Sequence, residues 1–181
     1  GDYIISHRFL LDISLLRNGT KVSSGEAIND VVLHPGSSLR MMEFELYIDK
    51  KFVYSQRSDG LIVSTPTGST AYALSGGGPI LHPNLDAIVL VPMNAHTLSS
   101  RPIVVGGNSD IEIKLASRNE LSSMITCDGQ NDLSHQPGDV IHIQKKNNPL
   151  RLIHQEDNSF YATCRTKLGW GSHLGSSNRN R

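Results

Sequence analysis

Residues 58–79 read SDGLIVSTPTGSTAYALSGGGP, a stretch that joins an apolar run to a cluster of hydroxyl side chains, proline and glycine. The run LIV at 61–63 is typical of a buried strand. Pro66 has no backbone N–H to donate and Gly68 tolerates positive φ, so the chain can leave that strand sharply. The run GGGP then ends any helix. These features predict a short helix over residues 69–75, directly after a hydroxyl-rich turn.

The hydroxyl-rich turn has two interpretations. Thr67, Ser69 and Thr70 offer N-caps, and a capped helix alone would explain them. A helix start also leaves backbone N–H groups unpaired, and a nucleotide phosphate or a polar base edge can satisfy those groups. Tyr72 would then add an aromatic face on which a base can stack. The residues of the turn leave both interpretations open.

Strand patterns dominate the chain on both sides of this stretch. MEFELYID at 42–49 and IEIKL at 111–115 carry apolar residues at every second position, as half-buried strands do. Further strands are predicted at 9–16, 27–33, 52–55, 61–65, 87–92, 103–105, 123–127, 140–144 and 151–154. A second helix is predicted at 159–169, ending at Gly169. The fold expected is mainly β, a sandwich or a folded-over antiparallel sheet.

Composition bounds the domain count and the classes of partner. A chain of 181 residues predicts one domain, which we place at residues 1–170, followed by a disordered tail at 171–181. Lys plus Arg equals Asp plus Glu at 17 each, so charge gives no reason to expect nucleic acid or a membrane as a partner. Cys127 and Cys164 lie far apart, which favours a reduced protein without a zinc site. We expect a soluble, cytoplasmic protein.

Asn29 and Asp30 interrupt the apolar run AINDVVL. Adjacent strand residues point to opposite faces, so both can meet one ligand only if the backbone bends there. The pair therefore indicates either a turn or a binding site at a strand end. A carboxylate accepts hydrogen bonds from the two hydroxyls of a ribose, and an Asn side chain offers a donor and an acceptor to a base edge.

Other motifs are weaker, and several common ones are absent. Arg57 and Asp59 lie just before the hydroxyl-rich stretch, and Asp128-Gly129-Gln130 is most simply a hairpin turn. The histidines show no ligand spacing and are expected to be structural or exposed. The sequence contains no G-x-x-x-x-G-K-[ST] loop, no G-x-G-x-x-G fingerprint and no G-x-S-x-G elbow. A serine hydrolase is therefore not expected.

In one unbroken order, AINDVVLHPG, EFELYID, SQRSDGLIVSTPTGSTAYALSGGGPILHP, LVPMNAHTLSSRPIVV, CDGQ and TKLGW resemble the bacterial NAD kinases. The resemblance spans roughly Gly1 to Trp170, and TPTGSTAY after RSDG and before GGP is its most specific part. It implies transfer of the terminal phosphoryl group of ATP, or of polyphosphate, to the 2′-hydroxyl of the adenosine ribose of NAD. It also implies a divalent metal such as Mg²⁺ and a cytoplasmic homo-oligomer, dimeric or tetrameric. The chain resembles the β-rich C-terminal domain, without the family's N-terminal α/β domain.

The resemblance also implies roles for particular residues. Asn29 and Asp30 match the pair that holds the dinucleotide, Asp30 facing ribose hydroxyls. Arg57 and Asp59 match a segment presented to the ligand, Asp59 across a subunit interface. The remaining implied NAD contacts are Arg40, Thr70, Ala71, Tyr72, Ala73, Leu74, Ser75 and Gln130. No catalytic residue and no metal ligand is implied within these 181 residues.

The sequence departs from the family pattern at one important point. The Gly-Gly-Asp-Gly motif, whose Asp is implied to activate the 2′-hydroxyl, does not occur. We therefore expect a piece of a longer NAD kinase that catalyses little by itself. The alternative is a dinucleotide-binding module without chemistry. A lipid kinase of related architecture is disfavoured, because TGSTAY fits the NAD kinases better.

Overall fold

Two compact units make up the chain in the computed structural model, which describes residues 3–36, 41–95, 99–116, 123–155 and 159–170. The larger unit runs from His7 to Leu150, and the smaller unit contains the described residues of the two chain ends. No helix within the described ranges is both long and apolar enough to cross a membrane.

The larger unit consists of two six-stranded antiparallel sheets, with strands numbered along the chain. The first sheet has the order β3 (Thr20–Ala27), β2 (Leu11–Arg17), β13 (Val140–Lys145), β10 (Ile111–Leu115), β5 (Met42–Ile48) and β6 (Lys51–Ser58). The second has the order β12 (Asn131–Leu133), β11 (Met124–Cys127), β4 (Asp30–His34), β7 (Gly60–Ser64), β8 (Ala87–Met93) and β9 (Ile103–Gly106). One cluster of buried side chains from both sheets forms the main core. The mainly β, two-sheet prediction is confirmed.

The first sheet buries one face only. Along β10 the side chains of Ile111, Ile113 and Leu115 are buried, whereas Glu112 and Lys114 are only partly buried. Register keeps this arrangement across the sheet, since Ile113 lies opposite Leu46 of β5. The alternating sequence pattern reflects this single buried face.

The second sheet is buried on both faces. Along β7, Leu61 and Val63 belong to the main core, whereas Ile62 belongs to a second cluster on the outer face. That cluster contains Val91 of β8 together with Ala73 from the short helix α1 (Tyr72–Ser75). The segment that follows β7 covers the outer face of the sheet, so side chains on both faces of β7 are buried. This is why β7 has a continuous apolar run and not an alternating pattern.

The chain crosses from the first sheet to the second at residues 28–29. Ala27 pairs with Leu11 in the first sheet, and Asp30 pairs with Ser64 in the second. The predicted single strand at 27–33 is therefore wrong in this detail, because the apolar run serves two sheets. The backbone bends at residues 28–29, as one of the two interpretations of the Asn29-Asp30 pair required.

Within the described residues, three strands were not predicted: β1 (Ile4–Arg8), β3 and β12. Strand β3 reads TKVSSGEA and lies at the edge of the first sheet, mostly exposed. An exposed edge strand needs few apolar residues, so its sequence lacks the alternation that marks β5 and β10.

The smaller unit pairs β1 with β14 (Leu150–His154), where Ser6 Oγ lies 2.8 Å from His154 Nε2. It also contains the helix α2 (Phe160–Leu168), which Ser159 caps by accepting a hydrogen bond from the Ala162 N–H. Gly169 ends the helix in a left-handed conformation, φ 67°. This confirms the predicted C-terminal helix. The assignment of residues 1–170 to one domain stays a prediction, and the predicted tail at 171–181 lies outside the described residues.

Candidate functional site

A cavity of about 460 Å³ lies on the outer face of the second sheet. Asp30, Asp59 and Tyr72, which are far apart in sequence, all line it. The rest of its wall comes from Val32, His34, Pro35, Met93, Thr126 and Gly129. A mainly apolar wall with a few convergent polar groups is typical of a small-molecule site.

Asp30 is the most unusual residue of this cavity. Its side chain is 5% exposed, and it accepts a hydrogen bond from the backbone N–H of Tyr72. Burial, and to a smaller extent the nearby Asp128 carboxylate, raise the pKa of Asp30 to about 6, although the Tyr72 N–H opposes the shift. No cation among the described residues pairs with Asp30, and a buried carboxylate in such surroundings is more characteristic of a functional site than of a structural one.

The backbone that carries Asp30 is held by the carboxylate of Asp128. Asp128 Oδ1 accepts hydrogen bonds from the N–H groups of Asn29 at 2.8 Å and Asp30 at 3.1 Å, and Oδ2 accepts one from Ile28 at 2.8 Å. The Asp128 N–H in turn donates to the Asp30 carbonyl at 2.9 Å. The backbone N–H groups of the crossover therefore find their hydrogen-bond acceptor in the turn between β11 and β12.

The hydroxyl-rich segment holds the same crossover from the other side. Thr65 Oγ1 donates to the Ile28 carbonyl at 2.6 Å, and Ser64 Oγ donates to the Asn29 carbonyl at 3.0 Å. Both side chains are fully buried. The hydroxyls near the end of β7 thus add hydrogen bonds to the two carbonyls at the bend, where the Asn29 carbonyl also accepts from the Thr65 N–H at 2.9 Å.

Gly68 fits directly against the crossover. A Cβ at this position would lie 2.1 Å from the Asn29 carbonyl oxygen and 2.6 Å from the Asn29 Cα. No side chain fits between two backbone segments at that distance. The glycine of TPTGSTAY is therefore required by close approach to Asn29.

The predicted N-capping by hydroxyls is wrong. Neither the 3-10 turn at Gly68–Thr70 nor α1 has a side-chain cap, and α1 spans only four residues. Ser69 Oγ instead accepts from the Leu81 N–H at 2.9 Å and donates to the Pro66 carbonyl at 2.7 Å. Buried backbone groups compete for these hydroxyls more strongly than a short helix start does.

The predicted contacts at 70–75 divide into three groups. Tyr72 is 46% exposed and lines the cavity. Ala73 is the fully buried residue of α1 and packs on the outer face of the second sheet. Thr70, Ala71 and Ser75 are exposed and Leu74 is partly buried, and none of these four lines the cavity.

Asp59 and Arg57 lie at the other crossover between the sheets, from β6 to β7. Asp59 lines the cavity, and its Oδ2 accepts a hydrogen bond from Asn94 Nδ2 at 2.9 Å. Gly60 has φ 147° and a Cβ there would lie 2.0 Å from the Leu33 carbonyl oxygen. Arg57 is exposed on β6 and is not part of the cavity wall.

Two of the remaining predicted contacts, Gln130 and Asn29, are next in sequence to residues that line the cavity. Gln130 is exposed, and its neighbour Gly129 lines the cavity in its place. Asn29 is partly buried at the crossover, beside Asp30. Arg40 lies outside the described residues.

Several wall residues were not predicted, and the strand period identifies two of them. Because Asp30 faces the cavity, Val32 and His34 face it too, two and four residues further along β4. Thr126 lies opposite Val32 on β11. His34, expected to be structural or exposed, lines the cavity and its Nδ1 accepts a hydrogen bond from the Gly36 N–H at 3.2 Å.

Comparison with known proteins identifies the family of this fold and site. The family profile of the ATP-NAD kinase C-terminal domain matches residues 28–155, from the crossover to the start of the smaller unit. The chain belongs to this family. The match includes every cavity residue, and it confirms the resemblance found in the sequence.

Curated relatives give the same result over almost the whole chain. An NAD kinase of Teredinibacter turnerae is 62% identical over 97% of this chain, and one of Azotobacter vinelandii is 60% identical over 97%. The chain spans about 60% of the length of these relatives: 60% of the first and 59% of the second.

Solved structures of two more distant family members share the fold. A yeast NADH kinase complexed with NADH has a TM-score of 0.85 at 28% identity, covering 98% of this chain and 51% of that protein. An NAD kinase from Archaeoglobus fulgidus in complex with ATP has a TM-score of 0.71 at 25% identity, covering 91% and 59%.

Proposed function

We propose that the protein is an NAD kinase and that this chain supplies its dinucleotide-binding half. The reaction is transfer of the terminal phosphoryl group of ATP or polyphosphate to the 2′-hydroxyl of the adenosine ribose of NAD. The observation that supports this most is the buried Asp30 carboxylate at the wall of a ligand-sized cavity, on a backbone whose N–H donates to Asp128. The family of the chain supports the same reaction.

The cavity residues have chemistry that suits the uncharged parts of NAD. One oxygen of Asp30 can accept hydrogen bonds from ribose hydroxyls, while Tyr72 offers a ring for stacking against a base. Asp59 can accept from an amino or amide N–H group. Two carboxylates on the wall would repel a pyrophosphate, so we place a nucleoside part of NAD here. Asn29 and Gln130 contact the ligand at the margin of the cavity in this proposal.

The phosphoryl donor and its divalent ion are assigned to other parts of the protein. Among the described residues, a group of three possible metal ligands occurs at Asp110, Glu112 and His142. Glu112 and His142 lie opposite each other on the outer face of the first sheet, so this group is not at the cavity. The described cavity residues therefore do not fit a metal site, and we propose that Mg²⁺ enters with ATP.

A second candidate is a dinucleotide-binding module without chemistry. The described wall of the cavity contains Asp, His and Tyr but no Lys or Arg with which to neutralise a transferring phosphoryl group. The two candidates differ in turnover. A kinase converts NAD to NADP when ATP and Mg²⁺ are added, and a binding module holds NAD unchanged.

The first experiment is calorimetric titration of the complete protein with NAD, beside an NADP-formation assay with ATP and Mg²⁺. Asp30→Ala should weaken NAD binding by about 1 to 3 kcal/mol, the range for a lost charged hydrogen bond. Asp132→Ala is the matched control, because Asp132 is exposed on β12 and does not line the cavity. NAD binding that is equal in both variants would contradict the proposed site.

Assembly and location are part of the same proposal. We expect a cytoplasmic homo-oligomer of two or four copies, with NAD and ATP as its small-molecule partners. Light scattering of the complete protein measures the number of copies, and a monomer would contradict a site completed by a neighbouring subunit.

A further inference from the structure

Asp128 has a position in the structure that its sequence context does not indicate. Its backbone and that of Gly129 have positive φ, 51° and 65°, and the Gln130 N–H donates to the Cys127 carbonyl at 3.1 Å. This geometry is that of a type I′ turn, which Asn-Gly and Asp-Gly both favour. The turn alone therefore does not explain a carboxylate at this position, since Asn would serve equally well.

The contacts of the carboxylate distinguish Asp from Asn. Three consecutive N–H groups, those of Ile28, Asn29 and Asp30, donate to its two oxygens within 3.1 Å. An ionised carboxylate has only acceptors, whereas an Asn amide would direct an NH₂ group at one of these donors. Hydrogen bonds to a charged acceptor are also the stronger ones.

We propose that Asp128 is a positioning residue for dinucleotide binding, holding residues 28–30 in the bend that directs the Asp30 side chain into the cavity. The inference rests on the proposed function of the site and extends it to a residue that does not line the cavity. Asp128 acts through the backbone of Asp30. Its own N–H also donates a hydrogen bond to the Asp30 carbonyl.

The proposal has a consequence for the pH dependence of binding. The negative charge of Asp128 contributes to the raised pKa of Asp30, whereas the Tyr72 N–H lowers it. Other titratable groups around Asp30 are Asp59 and His34, which share its cavity, and Cys127 at the end of β11. Because the ionised form of Asp30 accepts ribose hydroxyls, NAD binding should weaken as the pH falls through about 6.

The test is calorimetric titration of the complete protein with NAD between about pH 5 and about pH 8. Asp128→Asn should raise the Kd for NAD about tenfold at neutral pH, since one N–H loses its acceptor. The same variant should move the midpoint of the pH dependence to lower pH, because a negative charge near Asp30 is removed. Asp132→Asn, on the same hairpin, should behave as the wild type does.

The outcomes separate this inference from the proposed function. Loss of NAD binding in Asp30→Asn, with Asp128→Asn matching Asp132→Asn in both Kd and midpoint, overturns the positioning role alone. Weaker binding by Asp128→Asn with an unchanged midpoint also overturns it, since a general loss of structure would do the same. Equal binding by wild type and Asp30→Asn overturns the proposed site itself.

A measurement on the wild type covers the case in which Asp128→Asn does not fold. Hydrogen exchange followed by NMR reports on the amides of Ile28, Asn29 and Asp30. Three hydrogen bonds to one carboxylate require slow exchange at all three amides. Exchange at the rate of an unprotected loop would contradict the positioning role.

Discussion

Two buried carboxylates of the larger unit, one beside each sheet, behave in opposite ways. Asp139, directly before β13 of the first sheet, is 1% exposed and accepts hydrogen bonds from Arg17 Nε and Nη2, both at 2.9 Å. The Arg17 contact holds the pKa of Asp139 below its ordinary value. In the second sheet, Asp30 is almost as buried but has no cationic partner among the described residues, and burial together with the Asp128 charge raises its pKa to about 6. A carboxylate paired with a cation stabilises the fold, whereas one that is not paired with a cation is available to a ligand.

The faces around these two residues differ in the same way. The outer face of the first sheet is only partly buried, whereas that of the second is covered by α1 and the residues after it. The segment that begins with α1 covers only part of this outer face. The cavity lies where this covering ends, and Tyr72 of α1 forms part of its wall. The second sheet therefore provides both the low-polarity surroundings and the fixed backbone that a binding site needs.

Gly68→Ala tests the close contact on which the second sheet depends. Its Cβ would lie 2.1 Å from the Asn29 carbonyl oxygen, so we expect a loss of about 3 kcal/mol or more in the free energy of unfolding. The matched control is Gly19→Ala in the β2–β3 turn, where a Cβ meets nothing within 4 Å and only the positive φ of 77° is strained. The control should lose about 1 kcal/mol. Urea denaturation measures both, and equal losses would contradict the packing described for Gly68.

Val91→Ala and Val22→Ala compare the covered and exposed positions with one chemical change. Val91 is fully buried on the outer face of the second sheet, whereas Val22 is 46% exposed on the first. We expect Val91→Ala to cost about 2 kcal/mol and Val22→Ala less than about 0.5 kcal/mol. The comparison would fail if the two variants had the same urea midpoint.

Neutralising each carboxylate should have opposite effects on stability. The pKa of Asp139 is lowered on folding, so its ionised form stabilises the folded protein above the pKa of the unfolded chain, and this stabilisation is lost as the pH falls through the pKa of the folded protein. The pKa of Asp30 is raised on folding, so the free energy of unfolding decreases as the pH rises from about 4, the pKa in the unfolded chain, to about 6, the pKa in the folded protein. At pH 7.5 we therefore expect Asp139→Asn to destabilise the protein by about 2 kcal/mol and Asp30→Asn to stabilise it by about 1 kcal/mol.

The pH dependence of the two variants provides the control. Near pH 4 the stabilisation by Asp30→Asn should disappear, because the Asp30 side chain is then protonated and uncharged in the folded wild-type protein. Thermal unfolding at the two pH values measures the difference. A stabilisation by Asp30→Asn that is equal at both values would show that the buried charge is not its cause.

Tyr72→Ala should have the smallest effect on folding and a measurable effect on binding. The ring is 46% exposed, so its removal should change the free energy of unfolding by less than about 1 kcal/mol. Loss of stacking should weaken NAD binding by about 1 kcal/mol, roughly fivefold in Kd. Tyr161→Ala, a second exposed tyrosine in α2, is the control and should leave the Kd unchanged.

The same contrast explains how much of the molecule could be predicted from sequence. Strands β5 and β10 have an alternating pattern because one face is buried, and both were located within a residue or two. The run at 27–33 was assigned to one strand because an apolar pattern does not show that its residues serve two sheets. Only the positions of Asn29 and Asp30 within that run indicated the bend.

The sequence predicted some residues of the site but not the long-range hydrogen bonds that support them. Asp30, Asp59 and Tyr72 were each identified as candidates, and the fold brings them to one cavity. Ser69 was interpreted as an N-cap, but its hydroxyl donates to the carbonyls of Pro66 and Leu81. Ser64 and Thr65, to which no cap was assigned, donate to backbone carbonyls 35 and 37 residues earlier in the chain. Asp128 was taken for a turn residue because its three N–H partners lie about 100 positions earlier. Long-range partners of this kind leave no local pattern in the sequence.

A crystal structure of the complete protein with NAD tests the proposed site most directly. We predict a ribose of NAD in the cavity on the outer face of the second sheet, with a hydroxyl within hydrogen-bond distance of the Asp30 carboxylate and a base against Tyr72. The Asp128 contacts to residues 28–30 should be unchanged. NAD bound elsewhere, with the cavity empty and Asp30 without a ligand, would contradict the account.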